Sequence, residues 1–184
     1  KYKFYSKNLI YFLNEMRLSS SYKTTISDNN FSLYELSSFD YQIGDEFLKG
    51  TDIFIIENSN LAKGQSDEYF FVNGFFDLKN KNFKTGEAKI KLKKNFFGKS
   101  DNDPRLYGAS LTKKNNISSV KKAVFTSCKK SDSCPPWRLE ASEIRHDKNK
   151  KQLIYNDTIL KVYDIPVFYF PKFFHPDPTV KRQS

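Results

Sequence analysis

The sequence predicts an all-β fold, a β-jelly roll or stacked β-sandwich with an open hydrophobic groove. Three observations predict it. Eighteen Phe and eleven Tyr in 184 residues make the apolar fraction strongly aromatic, which favours strands over helices. Turn-forming clusters recur at Ser27–Asn30, Lys79–Asn82, Gly98–Pro104, Lys113–Asn116, Lys129–Ser133 and His146–Lys151. Many are separated by runs of roughly eight to twelve residues, the spacing of sandwiches and jelly rolls. Several of those runs alternate apolar and polar side chains with the period of two that a half-buried strand requires.

Taken in order, residues 8 to 18 suit a short helix or a first strand, because a short apolar run fits either period. Residues 52–56 and 69–76 are apolar on both parities and read as central strands covered on two sides. The clearest strand is Glu87 to Lys93, with Ala88, Ile90 and Leu92 on one face and Lys89, Lys91 and Lys93 on the other. Trp137, Leu139 and Ala141 alternate in the same way with Arg138, Glu140 and Ser142. A short echo links Leu48–Ile53, Leu106–Leu111 and Leu139–Ile144, all of the form Leu-x-(Gly or Ala)-x-x-(Ile or Leu). Its small residue suits stacked β units whose backbones approach closely.

The formal net charge of +10 implies attraction to something anionic: nucleic acid, a membrane surface or a phosphorylated ligand. The lysine clusters at 93–94, 113–114, 121–122, 129–130 and 148–151 fall at expected turns or strand ends, where solvated lysines also keep edges from aggregating. No apolar run approaches the eighteen or so residues of a membrane-spanning helix. The first residues carry no signal-peptide pattern, and the chain reads as a piece of something longer from which any export signal has been removed.

Catalytic motifs are missing: no Gly-x-Ser-x-Gly, no phosphate-binding glycine loop, no dinucleotide fingerprint and no His-Glu-x-x-His. We therefore expect no enzyme and no cofactor. A zinc site would need both histidines, His146 and His175, together with Cys128 and Cys134, and five residues between two cysteines is not a zinc spacing. The polar turn from Cys128 to Cys134 is instead where a disulfide belongs in an oxidising compartment. Bonded to each other, the two would pin the turn before Trp137; either could bond instead to a cysteine elsewhere in a longer chain.

Between Pro166 and Pro178 four prolines and six aromatic or apolar side chains crowd a short span. Proline fixes its own backbone angle, removes a donor and pushes the preceding residue to extended geometry. Such a segment suits a sheet edge or a connection between two bodies. We expect 1–184 to be one domain whose residues 165–184 form a linker, with Pro166 and Pro171 at a hinge or gate.

Particular stretches resemble the LptD family, the lipopolysaccharide-assembly or organic-solvent-tolerance (OstA) proteins of the Gram-negative outer membrane. They are Phe125-Thr126-Ser127-Cys128, Pro136-Trp137, Ala141-x-x-Ile144-x-His146-Asp147, Asp164 through Pro171, and Lys181-Arg182-Gln183-Ser184, with Asn102 through Gly108 upstream. The resemblance implies a periplasmic β-jelly roll joined to a C-terminal outer-membrane barrel that lies beyond Ser184. It also implies three partners: lipopolysaccharide, an LptA-like bridge protein that adds its strands to an open edge, and an outer-membrane lipoprotein held through the barrel. In the family the cysteine matching Cys128 bonds to the barrel, whereas Cys134 has no counterpart.

On this reading the domain is a passive conduit. Inward residues Phe71, Phe75, Ile90, Leu92 and Leu139 touch acyl chains, each buried methylene contributing roughly 0.8 kcal/mol, and lysines orient the phosphates. The competing expectations are a module that binds single-stranded nucleic acid by stacking bases on aromatics beside lysines, and a purely structural assembly domain filled by its own side chains. The long apolar runs and the cysteine pair argue against nucleic acid as the partner.

Overall fold

The computed structural model describes residues 3–29, 31–62, 65–94, 102–129 and 136–176. The N-terminal part builds β1 (Lys3–Ser6), β2 (Ile10–Phe12), β3 (Arg17–Ser20), β4 (Thr24–Ser27), β5 (Leu33–Leu36) and β6 (Ser38–Gln42). The middle follows with β7 (Phe47–Ile56), β8 (Glu68–Asp77), β9 (Asn82–Thr85), β10 (Ala88–Lys91), β11 (Arg105–Gly108) and β12 (Ser110–Lys114). Four long strands close the chain: β13 (Ile117–Thr126), β14 (Trp137–Asp147), β15 (Gln152–Val162) and β16 (Ile165–Pro176). The ambiguous segment 8–18 becomes β2, a single 3-10 turn at Leu13–Glu15 and the start of β3. Every pairing among the described residues is antiparallel, so the all-β expectation holds.

The sheet is folded along one line, and this fold gives the molecule two wings. Residues Phe47–Thr51 of β7 pair with Asn73–Asp77 of β8, whereas Ile53–Ile56 pair with Glu68–Phe71; Asp52 and Val72 are skipped between them. The same gap falls at Lys122 and Ser142, at Ser142 and Asp157, and at Asp157 and Pro171. Shorter strands stop at the line: β5 gives way to β6 at Ser37, β9 to β10 at Gly86 and Glu87, and β11 to β12 at Ala109. Backbone bonds from Ser37 N to Thr51 O (3.0 Å), Gly86 N to Asn73 O (3.0 Å) and Ala109 N to Lys121 O (2.9 Å) hold those breaks in place. The first wing runs β1-β4-β5-β7-β8-β10-β11-β13-β14-β15-β16; the second wing adds β2, β3, β6, β9 and β12 to the other halves of the long strands.

At most crossings of the line two buried residues stand three apart, with two outward residues between them. The pairs are Leu36 and Phe39, Gly50 and Ile53, Phe71 and Gly74, Thr85 and Ala88, Gly108 and Leu111, Val120 and Ala123, Ala141 and Ile144, and Tyr155 and Thr158. A flat strand would place residues three apart on opposite faces. The extra residue works as a bulge does: it bends the strand and exchanges its faces. Asp52, Lys122 and Asp157 absorb the bend with left-handed backbone, φ 46°, 47° and 46°. The inner faces of the wings meet at the line, where Phe4 of β1 packs on Phe39 of β6 at 5.9 Å and Phe71 packs on Phe83 of β9 at 6.4 Å.

The three echoed segments, Leu48–Ile53, Leu106–Leu111 and Leu139–Ile144, each straddle this line, and their small residue is the first buried member of a pair. Lys121 and Lys122 also sit here, inside β13, rather than at a turn or strand end. The linker expectation for 165–184 is corrected as far as residue 176. Residues 165–176 form β16, hydrogen-bonded along β15 from Val162 to Gln152, with one register shift between Leu160 and Lys161. Pro166 and Pro171 are tolerated because β16 is an edge strand whose outer side needs no donors. Residues 177–184, including Pro178 and the Lys181–Ser184 motif, lie outside the described residues.

Gly108 has no room for a side chain. A Cβ there would collide with Val120 Cγ1 and stand 3.2 Å from Lys121 O, whereas one on Gly44 would meet nothing within 4 Å. Gly108→Ala is expected to cost about 1–3 kcal/mol in chemical denaturation through overpacking, with Gly44→Ala nearly neutral. Equal effects would show that the line does not depend on close approach there.

Candidate functional site

The concave side between the wings is the candidate site. At the fold line its floor is closed by Phe71 (2% exposed), Ile53, Leu36, Ala88, Ala123 and Ala141. One or two residue pairs further out, the inner-face residues Tyr69, Leu92, Leu106, Phe125 and Leu139 on the first wing, and Leu48, Phe76, Phe83 and Leu153 on the second, are only partly buried. The inner face therefore grades from a packed floor to partly exposed apolar side chains toward the wing tips. Such a trough is built by alternation along each wing together with the exchange of faces at the line.

The trough opens most at its C-terminal end. In β16 the register sets Phe168 opposite Leu160, Phe170 opposite Thr158 and Phe173 opposite Tyr155, so these rings share the inner face. Phe168 is 61% exposed. Tyr155 stacks on Phe173 at 4.4 Å with rings 5° apart, and its hydroxyl lies 3.0 Å from His175 Nε2. Burial pushes the Tyr155 phenol up to about 12, so it stays protonated at physiological pH. On the outer side Ser142 Oγ donates to Asp157 Oδ2 (3.0 Å) and Tyr169 Oη donates to Asp157 Oδ1 (3.0 Å), tying three strands across the line.

Of the expected lining residues, Phe71 and Ile90 (7% exposed) belong to the closed floor, and Leu92 and Leu139 pack on it from positions nearer the mouth. Phe75 is a correction. It pairs with Lys49 and Lys84 on the outer face, is 42% exposed, and lies under Lys49 Nζ at 5.5 Å. The expectation that 52–56 and 69–76 are covered on two sides fails for the same reason: Val72 and Phe75 are exposed on the outside, with Phe54 and Phe70 partly so. Phe125, Phe76, Phe83, Phe168 and Phe170 are inner residues that the linear reading did not single out. The spacing Leu-x-(Gly or Ala)-x-x-(Ile or Leu), with inward positions two and then three apart, is the signal that marks the exchange of faces.

Cys128 carries a free thiol, its Sγ 3.6 Å from the Trp137 carbonyl oxygen, and its own carbonyl accepts from Arg105 Nη1 at 2.5 Å. The expected local bridge would involve Cys134, which lies outside the described residues. Pro166 pairs with Lys161 on the outer side and Pro171 stands on the fold line, both in the edge strand β16. Among the described residues no group of His, Cys, Asp and Glu side chains is placed to hold a metal. The chain matches no protein-family model and no curated protein.

At the mouth, burial perturbs one carboxylate upward among the described residues. Glu57 follows β7 at the tip of the first wing, where burial pushes its carboxyl up and Asp67 adds to the shift, against the pull of Lys148 and Lys113 on the second wing. A carboxyl raised in the folded state binds its proton more tightly there than in the unfolded chain, so stability falls as pH rises through that interval and stays lowered above it. Glu57→Gln is expected to raise the melting temperature at pH 7.5. The gain should shrink to nothing below the unfolded carboxylate range of about 4.3. Calorimetry on both proteins at pH 4 and 7.5 checks this, and a gain of equal size at both would refute it.

Proposed function

We propose that this chain is a periplasmic, lipid-conducting domain of a lipopolysaccharide-assembly protein. It holds acyl chains between its two wings and passes the lipid toward an outer-membrane barrel joined at its C-terminal end. The observation that carries this reading is the gradient of the inner face, from a dry floor at Phe71 to partly exposed Phe125 and Leu139 and then to the open rings of Phe168 and Phe170. An apolar trough continuous with an aromatic edge strand suits long, flexible hydrocarbon chains, which need dry contact along their length and no directional bonds. The work is binding and guidance without bond breakage.

The open edges fit the same role. Among the described residues β1 and β2 end the sheet on one side and β16 on the other, each presenting backbone groups that a further strand can pair with. A bridge protein resembling LptA would add to the β1–β2 edge and prolong the trough, while β16 leads to the barrel and, through it, to a lipoprotein partner. In that full assembly Cys128, near the end of β13, is free to bond to a barrel cysteine, as the resemblance implies.

Site-specific photocrosslinking to lipopolysaccharide tests the reading. A crosslinker placed at Leu139 or Phe168 should capture lipid, and one at Arg138 or Tyr169, on the outer face, should not. Capture at the outer positions alone would refute a trough between the wings. The absence of capture at all four, in folded protein, would favour a domain filled by its own side chains.

A further inference from the structure

We propose that the tip of the second wing is a phosphate-binding lip that holds the headgroup of the lipid, so that the lipid lies across the trough in one orientation. This rests on the lipid reading above and adds the headgroup's place and chemistry to it. Three neighbouring turns bring the lip together. Lys79 and Lys81 lie on the β8–β9 turn, Lys113 and Lys114 end β12 before the next turn, and Lys148 and Lys150 lie on the β14–β15 turn. Asparagine side chains lace these turns to one another: Asn82 Oδ1 accepts from Asn115 N (2.7 Å), and Asn116 Nδ2 donates to Asn149 Oδ1 (2.8 Å). The lysines therefore ride on a connected rim and not on separate loops.

Their charge is offset only in part, by Asp77 beside Lys79 and by Glu57 across the mouth. None of these lysines takes part in an ion pair among the described residues, although lysines elsewhere do, such as Lys23 with Glu35 and Lys91 with Glu68. The two acids closest in sequence are engaged within their own turns. Asp77 accepts from Asn80 N and Nδ2 (2.9 and 2.8 Å), and Asp147 Oδ1 accepts from Asn149 N and Lys150 N (both 3.1 Å). Lys113 points inward, since it pairs with Phe83, whose ring is part of the trough wall. Burial and the neighbouring Lys148 and Lys81 disfavour its proton more than the carboxylate of Glu57, across the mouth, favours it, as expected where cations are gathered.

The opposite lip has a different character, with Glu57, Asp67 and Asp28 grouped near the first-wing tip. An anionic headgroup is thus favoured at one lip and disfavoured at that part of the other. Adjacent turns of the second wing stand two strand spacings, or about 10 Å, apart. Phosphates at the two ends of a phosphorylated disaccharide span a comparable distance, and the chains hanging from that disaccharide would then enter the trough past Phe83.

The test compares the wild-type domain with two triple variants of equal charge loss: K81Q/K113Q/K148Q at the lip, and K49Q/K84Q/K89Q on the outer face. Binding is measured for bisphosphorylated lipid A, for its dephosphorylated counterpart and for inorganic tripolyphosphate. The lip variant is expected to lose about tenfold in affinity for the bisphosphorylated lipid and to bind the dephosphorylated lipid like wild type, while the outer variant changes neither. Equal losses in both triples, or wild-type affinity in the lip variant, would overturn the lip. If neither lipid binds wild type but tripolyphosphate binds and is lost only in the lip variant, the lip stands as a phosphate site and the lipid reading falls. Lip-dependent binding of single-stranded DNA with no binding of tripolyphosphate or lipid would overturn the assignment in favour of nucleic acid.

Discussion

The structure depends on one packing constraint, two inward residues set three apart at most crossings of the fold line. In each strand they must both reach the same floor, and the two residues between them must both face water. Small members make this possible where strands crowd, as at Gly50, Gly74 and Gly108, and large ones fill the space where they do not, as at Phe71 and Leu36. Because the floor is shared by consecutive strands, the line stays straight only if each strand bends at the same height. The left-handed residues Asp52, Lys122 and Asp157 and the short-strand breaks at Ser37 and Ala109 achieve that by different local means.

From that constraint the rest follows. Folding an antiparallel sheet back on itself gives two inner faces that touch at the line and part away from it, so burial decreases outward without any change in side-chain type. The outer face then carries the lysines of β9 and β10 together with Phe54, Phe70 and Phe75. Lys89 Nζ sits 5.8 Å from the Phe70 ring, a contact that shields part of an exposed aromatic surface.

How far the sequence speaks for this architecture can be judged strand by strand. β10 and the first half of β14 were legible, because Ala88, Ile90, Leu139 and Ala141 alternate with charged residues on short, unbent segments. The turns at 78–81, 115–116 and 148–151 were legible from their Asn, Asp and Lys content. Phe75 shares the parity of Phe71 in sequence but not its face, because a bend between them adds a residue, and β8 has apolar side chains on both faces to conceal the change. β16 was read as a sheet edge or a connection, and only pairing with β15 decides between them. The lip was visible as lysine clusters, but their assembly on one rim is a matter of strand order, which no local pattern encodes.

The strand order has a further implication for how the molecule comes apart. Among the described residues each strand hydrogen-bonds only to its neighbours along the ribbon, and no pairing joins β1 to β16. Cooperativity therefore passes largely from one hairpin to the next along the shared floor, as in a solenoid. Loosening should start at the two outermost edges and travel inward, leaving β7, β8, β13 and β14 as the last ordered region. Lengthening the ribbon by a hairpin at either end would leave the interior packing untouched. A scaffold of this kind is extensible, and its reach can be set by the number of repeats without redesign of the middle.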